Sequence, residues 1–249
     1  RSTYKGNKIK NRAVYDLIEP GSTIKPLIVY AGLENEIIQS TSVIDTAPGV
    51  IELEGRQIKD WKYLGQVTPG DVIKLSSNIG AAKISSQLSK QELISFLDKI
   101  GFGQSLFLDL PGSKNGSLPV ASDLSNAEHF TLGYGYGLST SLMHLVSAYV
   151  TLANNGNRIQ LKYLKDPENY VSEERILSKR NSEIVVNMMK DVVHSDTGTG
   201  TKAKVDRYTI YGKTGTVRQI VEGEYSKNRH NAIFIGIIGD PSPEYVAAV

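Results

Sequence analysis

The sequence contains no cysteine. That absence excludes disulfides, thiolate metal sites and a cysteine nucleophile by inventory alone, although it fits an oxidising compartment as well as a reducing one. Its four histidines are scattered and make no metal-ligand pattern. Neither sign of charge is in excess: 28 Lys plus Arg stand against 26 Asp plus Glu, a formal +2. With no dense basic run there is no electrostatic case for nucleic acid as a partner. No stretch approaches the roughly 20 apolar residues that cross a bilayer. Residues 1–12 are polar rather than signal-like.

What is present can fold. At 249 residues and 40% hydrophobic content, the chain can fill the core of one large domain or of two lobes. It opens in a polar segment that reads as mid-protein and stops at Tyr245-Val246-Ala247-Ala248-Val249, which reads as an unfinished strand, so a fragment is expected.

Local signals give an order of elements. Glu19-Pro20-Gly21 marks a turn, and the apolar run over 24–38 predicts a buried helix starting near Ser22. Alternation over 50–59 with Gly55 in the middle predicts a hairpin, and Thr68 followed by Pro69 caps a helix that leads toward Ser76. Ser89 with Glu92 forms a capping box for a helix ending at Gly101. Residues 103–124 read as a long loop, 141–155 as a core helix stopped by Gly156, and 182–194 as another helix. Gly198-Thr199-Gly200-Thr201 reads as a flexible link. Beyond it strands are expected over 207–217, 231–239 and 245–249. The expectation is an α+β fold, a helical lobe at about 24–195 beside an antiparallel sheet at about 207–249.

Three short motifs carry chemistry. Ser22-Thr23-Ile24-Lys25 has the S-x-x-K spacing of serine acyl-transfer enzymes, a pattern that composition alone produces roughly once per 250 residues. Ser2-Thr3-Tyr4-Lys5 has it too. Only Ser22 opens an apolar helix, where backbone N–H groups and the helix dipole favour an oxyanion and where Lys25, one turn on, can be desolvated. A lysine is a base only when neutral, and a second lysine nearby lowers its pKa further. Lys213-Thr214-Gly215-Thr216 supplies that lysine if its strand lies beside Ser22. Gly215 would let a substrate approach the backbone, with Lys213 and both threonines facing an anion. The third element, S-x-N, occurs at Ser76-Ser77-Asn78, Ser113-Lys114-Asn115 and Ser226-Lys227-Asn228, and the pattern cannot choose among them. Context favours Ser76, which sits at a junction of two helices, a rigid mount for a proton-relay hydroxyl.

The chain resembles the class B penicillin-binding proteins, the division-specific FtsI type among them. The likeness is carried by these motifs and by Glu19-Pro20-Gly21-Ser22-Thr23, Ile58-Lys59-Asp60-Trp61, Lys74-Leu75-Ser76-Ser77-Asn78-Ile79-Gly80 and Gly133-Tyr134-Gly135-Tyr136-Gly137-Leu138. The resemblance implies a penicillin-binding, serine β-lactamase-like transpeptidase fold without metal or cofactor. Ser22 would attack the penultimate D-Ala carbonyl of a stem peptide ending in D-Ala-D-Ala, and Lys25 would take its proton. Ser76 would relay a proton to the leaving amine, and Asn78 would bond the substrate amide and Lys25. Lys213, Thr214 and Thr216 would hold the terminal carboxylate, with Ser77 and Gly215 lining the substrate site. Backbone N–H groups of Ser22 and Thr216 would form the oxyanion hole. It further implies inhibition by β-lactams, a membrane glycosyltransferase and other division proteins as partners, and an extracytoplasmic position on the inner membrane. The family's sheet also uses strands before the nucleophile helix and a helix after the last strand, neither of which this chain contains, so an incomplete sheet is expected.

Other readings share these motifs. A serine β-lactamase needs an efficient base for deacylation, commonly a loop Glu. The loop after Asn78 reads Gly112-Ser113-Lys114-Asn115-Gly116-Ser117-Leu118-Pro119, with no Glu, so slow deacylation is expected. A D,D-carboxypeptidase uses the same residues, and a non-catalytic sensor or scaffold would keep only the fold.

Overall fold

The structure is a computed structural model that describes residues 10–106, 112–162, 173–221, 224–239 and 242–249. The alternative Ser2 motif lies outside the described residues, as does the stretch 107–111 of the expected loop.

A short helix α1, Arg12–Tyr15, comes first. A tight 3-10 turn, Gly21–Ile24, then runs directly into α2, Lys25–Glu34. The single helix expected over 24–38 is therefore shorter and begins differently. Pro26 occupies its first turn, where a missing N–H costs nothing, and it stops at Asn35 and Glu36, the latter at φ +56°. Every residue from Lys25 to Leu33 is buried, which explains why the sequence there is apolar all round rather than amphipathic.

Two small antiparallel pairs follow. Strand β1, Ile44–Asp45, later meets β4, Gln66–Val67, and between them β2, Val50–Leu53, and β3, Arg56–Lys59, form the expected hairpin around Gly55. Thr68 caps α3, Pro69–Lys74, through a capping box with Asp71. Helix α4, Asn78–Ser85, is capped by Ser77, and α5, Lys90–Lys99, by the Ser89–Glu92 box. The segment expected as loop is irregular where described, apart from a 3-10 turn at Ala121–Asp123.

Helix α6, Asn126–Leu132, precedes the core helix α7, Leu142–Ala153. A small pair, β5 Asn157–Ile159 and β6 Glu173–Arg175, leads to α8, Lys179–His194, which starts a turn earlier than expected. The main sheet comes last: β7, Thr209–Val221, β8, Glu224–Gly239, and β9, Pro243–Ala248, antiparallel in the order β7-β8-β9. Strands β7 and β8 extend further toward each other than the sequence pattern indicated, past a register shift between Arg218 and Ile220.

Helix α2 runs through the centre, against α3, α4 and α8, and one face of the sheet covers α8 and the 3-10 turn. Among the described residues no helix is long and apolar enough to cross a membrane.

Candidate active site

The backbone on both sides of Ser22 is held by three ties. Ile18 and Thr140 exchange backbone hydrogen bonds at 2.8 Å, Gly21 N–H donates to Gly135 O at 3.0 Å, and Tyr149 Oη, from the core of α7, donates to Thr23 O at 2.7 Å. Gly135 stands at φ +89°, and a Cβ there would overlap the backbone of Gly21, so only glycine allows this approach. Glu19 adds a tie: its Oε1 accepts from Gly137 N–H at 2.8 Å and from Tyr225 Oη at 2.9 Å, and burial raises its pKa. The quoted Glu19 and Gly133–Leu138 stretches thus meet around the turn that carries Ser22.

Ser22 sits partly exposed in the 3-10 turn, at the head of α2. Lys25 follows one turn later and is completely buried. Its Nζ donates to Ser76 O at 2.6 Å and to Asn78 Oδ1 at 2.8 Å, and Ser76 Oγ lies at 3.3 Å. Asn78 Nδ2 is spent on Lys59 O at 2.9 Å, which fixes the amide with its oxygen toward Lys25. A neutral amine has two N–H bonds and one lone pair. Here both N–H groups face acceptor-only oxygens, so the lone pair is left for a hydroxyl proton. Burial, then the neighbouring Lys213 charge, drive the Lys25 pKa well below its ordinary value, against a weaker opposing pull from Asp60.

Ser76 stands between the two lysines. Lys213 Nζ donates to Ser76 Oγ at 2.9 Å and to Thr214 O at 3.0 Å. Burial lowers the Lys213 pKa to about 7. Ser76 itself holds φ +59° between α3 and α4, a conformation costing about 1–3 kcal/mol that surrounding contacts must enforce. The other two S-x-N matches are elsewhere: Lys114 lies over the Tyr15 ring, and Ser226 bonds the backbone N–H groups of Asn228 and Arg229.

One expectation about the strand motif is corrected. Along β7 buried and exposed residues alternate, so Lys213, Gly215 and Val217 point inward while Thr214 and Thr216 point outward. Lys213 and the threonines do not share a face. The cleft wall is formed by Thr214 and Thr216, with Thr199 bonded to Thr214 Oγ1 at 2.9 Å, while Lys213, fully buried on the strand's inward face, reaches Ser76 Oγ, which lines the same cleft. Gly215 lines the cleft between the two threonines, as expected of a substrate-site glycine, and a Cβ there would also sit 2.9 Å from Thr23 Cγ2. Its second role is to let β7 press against the turn that carries Ser22. Among the described residues β7 pairs only with β8, so its other edge offers free backbone groups to an extended peptide.

The segment read as a flexible link is also built into the site. Gly200 N–H donates to Val192 O at 2.8 Å, Thr199 Oγ1 donates to Lys74 O at 3.3 Å, and Thr199, Gly200 and Lys202 line the cleft. The cleft, about 890 Å³, also takes in Ser22, Trp61, Ser76 and Asn78. No carboxylate is among the described residues that line it.

Sequence reasoning assigned no role to Asp60. This 7% exposed carboxylate accepts from Ser77 Oγ at 2.8 Å, from Ile79 N–H at 3.1 Å and from Asn78 N–H, satisfying the start of α4 and thereby mounting Ser76 and Asn78. Ser77 is thus a cap that faces Asp60 rather than the cleft. Asp60→Ala is expected to cost about 3 kcal/mol, because buried donors lose their only anion. Equilibrium denaturant unfolding reads this, with Asp60→Asn expected between the two.

A serine at the head of a buried helix, a desolvated lysine one turn on and a second hydroxyl shared by two buried lysines define a serine–lysine acyl-transfer site. Comparison with known proteins agrees. Residues 1–249 match the family model for the penicillin-binding protein transpeptidase domain. The chain is 34% identical to the peptidoglycan D,D-transpeptidase FtsI of Buchnera aphidicola, over 95% of this chain and 41% of that protein. It is 31% identical to the FtsI of Escherichia coli K12, over 97% of this chain and 40% of that one. The transpeptidase domain of Burkholderia pseudomallei penicillin-binding protein 3 superposes with a TM-score of 0.90 at 33% identity, covering 96% of this chain and 72% of that one. The chain belongs to the penicillin-binding protein transpeptidase family. It spans about two fifths of the length of these curated relatives.

Proposed function

We propose that this domain is a serine D,D-transpeptidase that cross-links peptidoglycan stem peptides and is acylated by β-lactams. The observation that carries this reading is Lys25, a buried amine whose N–H groups are taken by Ser76 O and Asn78 Oδ1, which leaves its lone pair as a base one turn along the chain from Ser22.

In the proposed reaction, Lys25 takes the Ser22 proton as Oγ attacks the penultimate D-Ala carbonyl. The oxyanion is held by the Ser22 and Thr216 backbone N–H groups. Ser76, poised between Lys25 and Lys213, passes a proton to the departing D-Ala amine. Thr214 and Thr216 hold the D-Ala carboxylate, with the Lys213 charge buried on the strand's inward face. The amine of a second stem peptide then takes the acyl group from Ser22. The absence of a carboxylate among the described cleft residues supports a long-lived acyl-enzyme rather than a β-lactamase.

By resemblance to relatives named FtsI, the role assigned is septal wall synthesis. The full-length protein would sit on the extracytoplasmic side of the inner membrane with a single span. A membrane glycosyltransferase and division proteins would be its partners.

Turnover of a carboxylate-bearing peptide thioester, with and without a D-amino acid, tests the reading. A transpeptidase diverts the acyl group into a new amide when the amine is present. Hydrolysis that the amine does not divert would indicate a carboxypeptidase. No thioester consumption would indicate a non-catalytic sensor or scaffold.

A further inference from the structure

Trp61 is the sequence's one tryptophan, and its side chain is 64% exposed at the lip of the cleft that holds Ser22. An exposed indole beside a reactive serine is an unusual use of apolar surface. The ring is also fixed in place. Its Nε1–H donates to Leu75 O at 2.9 Å, immediately before Ser76, and Lys62 Nζ lies 4.5 Å from the ring centroid. Lys202 stands in the same cleft. A held aromatic ring with one lysine over it and a second in the same cleft suits a ligand that combines an alkyl chain with carboxylates.

Which of the two substrates it meets follows from the proton path. Ser76 gives a proton to the leaving amine, so by microscopic reversibility the incoming amine enters on the Ser76 side of the ester. Trp61 is anchored to the residue next to Ser76 and is therefore on that side. The donor stem, still attached to Ser22, has a separate way out. A second cleft, bounded by Arg56, Tyr134, Tyr136 and Arg218, shares Asn78 with the first and does not include Trp61.

We propose that Trp61 is an acceptor-specificity residue, a platform on which the alkyl side chain of the incoming amine packs while Lys62 and Lys202 attract its carboxylates. This rests on the transpeptidase reading and deepens it. In the step concerned, the acceptor nitrogen forms a bond to the acyl carbon and the bond from that carbon to Ser22 Oγ breaks. The proton lost by the amine returns to Ser22 Oγ through Ser76 and Lys25, so nothing further is consumed.

The test measures how the acyl group of a peptide thioester divides between water and an added amine, using glycine and D-methionine as acceptors. Acylation by benzylpenicillin is followed in parallel. Trp61→Ala is expected to lower the D-methionine to water ratio roughly threefold to tenfold and the glycine to water ratio distinctly less, and any loss in acylation is expected to be smaller than the loss in the D-methionine ratio. Trp61→Phe, which keeps a ring but loses the N–H to Leu75, is expected to retain most of the D-methionine preference. If Trp61→Ala leaves the D-methionine ratio unchanged, the inference is wrong. If both variants slow acylation as much as aminolysis, Trp61 only anchors Leu75 and Ser76, and the platform is again overturned. A parent protein that is never acylated would instead overturn the transpeptidase reading, and this inference with it.

Discussion

Lys25→Arg is expected to slow acylation by benzylpenicillin on the order of a thousandfold, the range that general-base catalysis supplies. The substitution keeps a nitrogen-bearing side chain of similar length but replaces a neutral base by a group that cannot accept a proton, so a loss on this scale is the one expected if proton transfer is the missing function. A guanidinium stays protonated at any pH a protein survives and offers no lone pair. The site is also tailored to an amine, because Nζ meets Ser76 O, Ser76 Oγ and Asn78 Oδ1 from one point, a geometry a planar fork does not reproduce. In the parent protein the rate should rise with pH as Lys25 loses its proton. The limb should lie far below the ordinary lysine range, since burial and Lys213 both lower that pKa. In the arginine variant the limb should vanish. A rate within a few fold of the parent would show that another group accepts the Ser22 proton.

Lys213→Ala is expected to slow acylation about a hundredfold for a carboxylate-bearing β-lactam and distinctly less for its methyl ester. The ester has no charge to lose. Because Lys213 lies on the strand's inward face while Thr214 and Thr216 line the cleft, its effect on the carboxylate is carried by charge, and the threonine hydroxyls should still bind the ester. The same substitution should move the rising limb upward. A positive Lys213 lowers the Lys25 pKa, so its removal raises that pKa, and water entering the space left behind acts in the same direction by relieving desolvation. With the Lys213 pKa near 7, repulsion operates in the acid part of the profile, so the two curves should diverge most below about pH 7. Equal losses for acid and ester, with the limb in place, would remove Lys213 from both roles.

The chemistry was more legible than the framework that holds it. Ser22, Lys25, Ser76 and Lys213 could be singled out because the proposed reaction demands those residue types at short spacings, and the structure brings Lys25, Ser76 and Lys213 together. Helices announced by caps, those starting after Thr68 and Ser89, were also legible, since a cap is written in neighbouring residues, and α7 was legible from its apolar period and the Gly156 stop. Helix α6 carried the same signal in its Ser125–Glu128 capping box, which was there to be found.

What escaped depends on contacts between distant segments. Asp60 mounts Ser77 and Asn78 from 17 and 18 residues away, and no local pattern marks a carboxylate for that use. Thr199 looked like part of a linker because glycines flank it, yet its hydroxyl completes the threonine wall. Gly215 suggested substrate access, and it does line the cleft, but its second use, letting β7 pack on the Ser22 turn, shows only when Thr23 arrives beside it. Two-residue strands such as β1 and β4 are too short to show a period of two.

The claim on which the rest depends is that Ser22 becomes covalently acylated. The folded protein should be exposed to benzylpenicillin, digested, and its peptides mapped by mass spectrometry. The expected result is one stable penicilloyl adduct on the peptide containing Ser22, lost in Ser22→Ala and retained in Ser2→Ala. An adduct on Ser2 or another serine, or none on protein shown to be folded, would contradict the account.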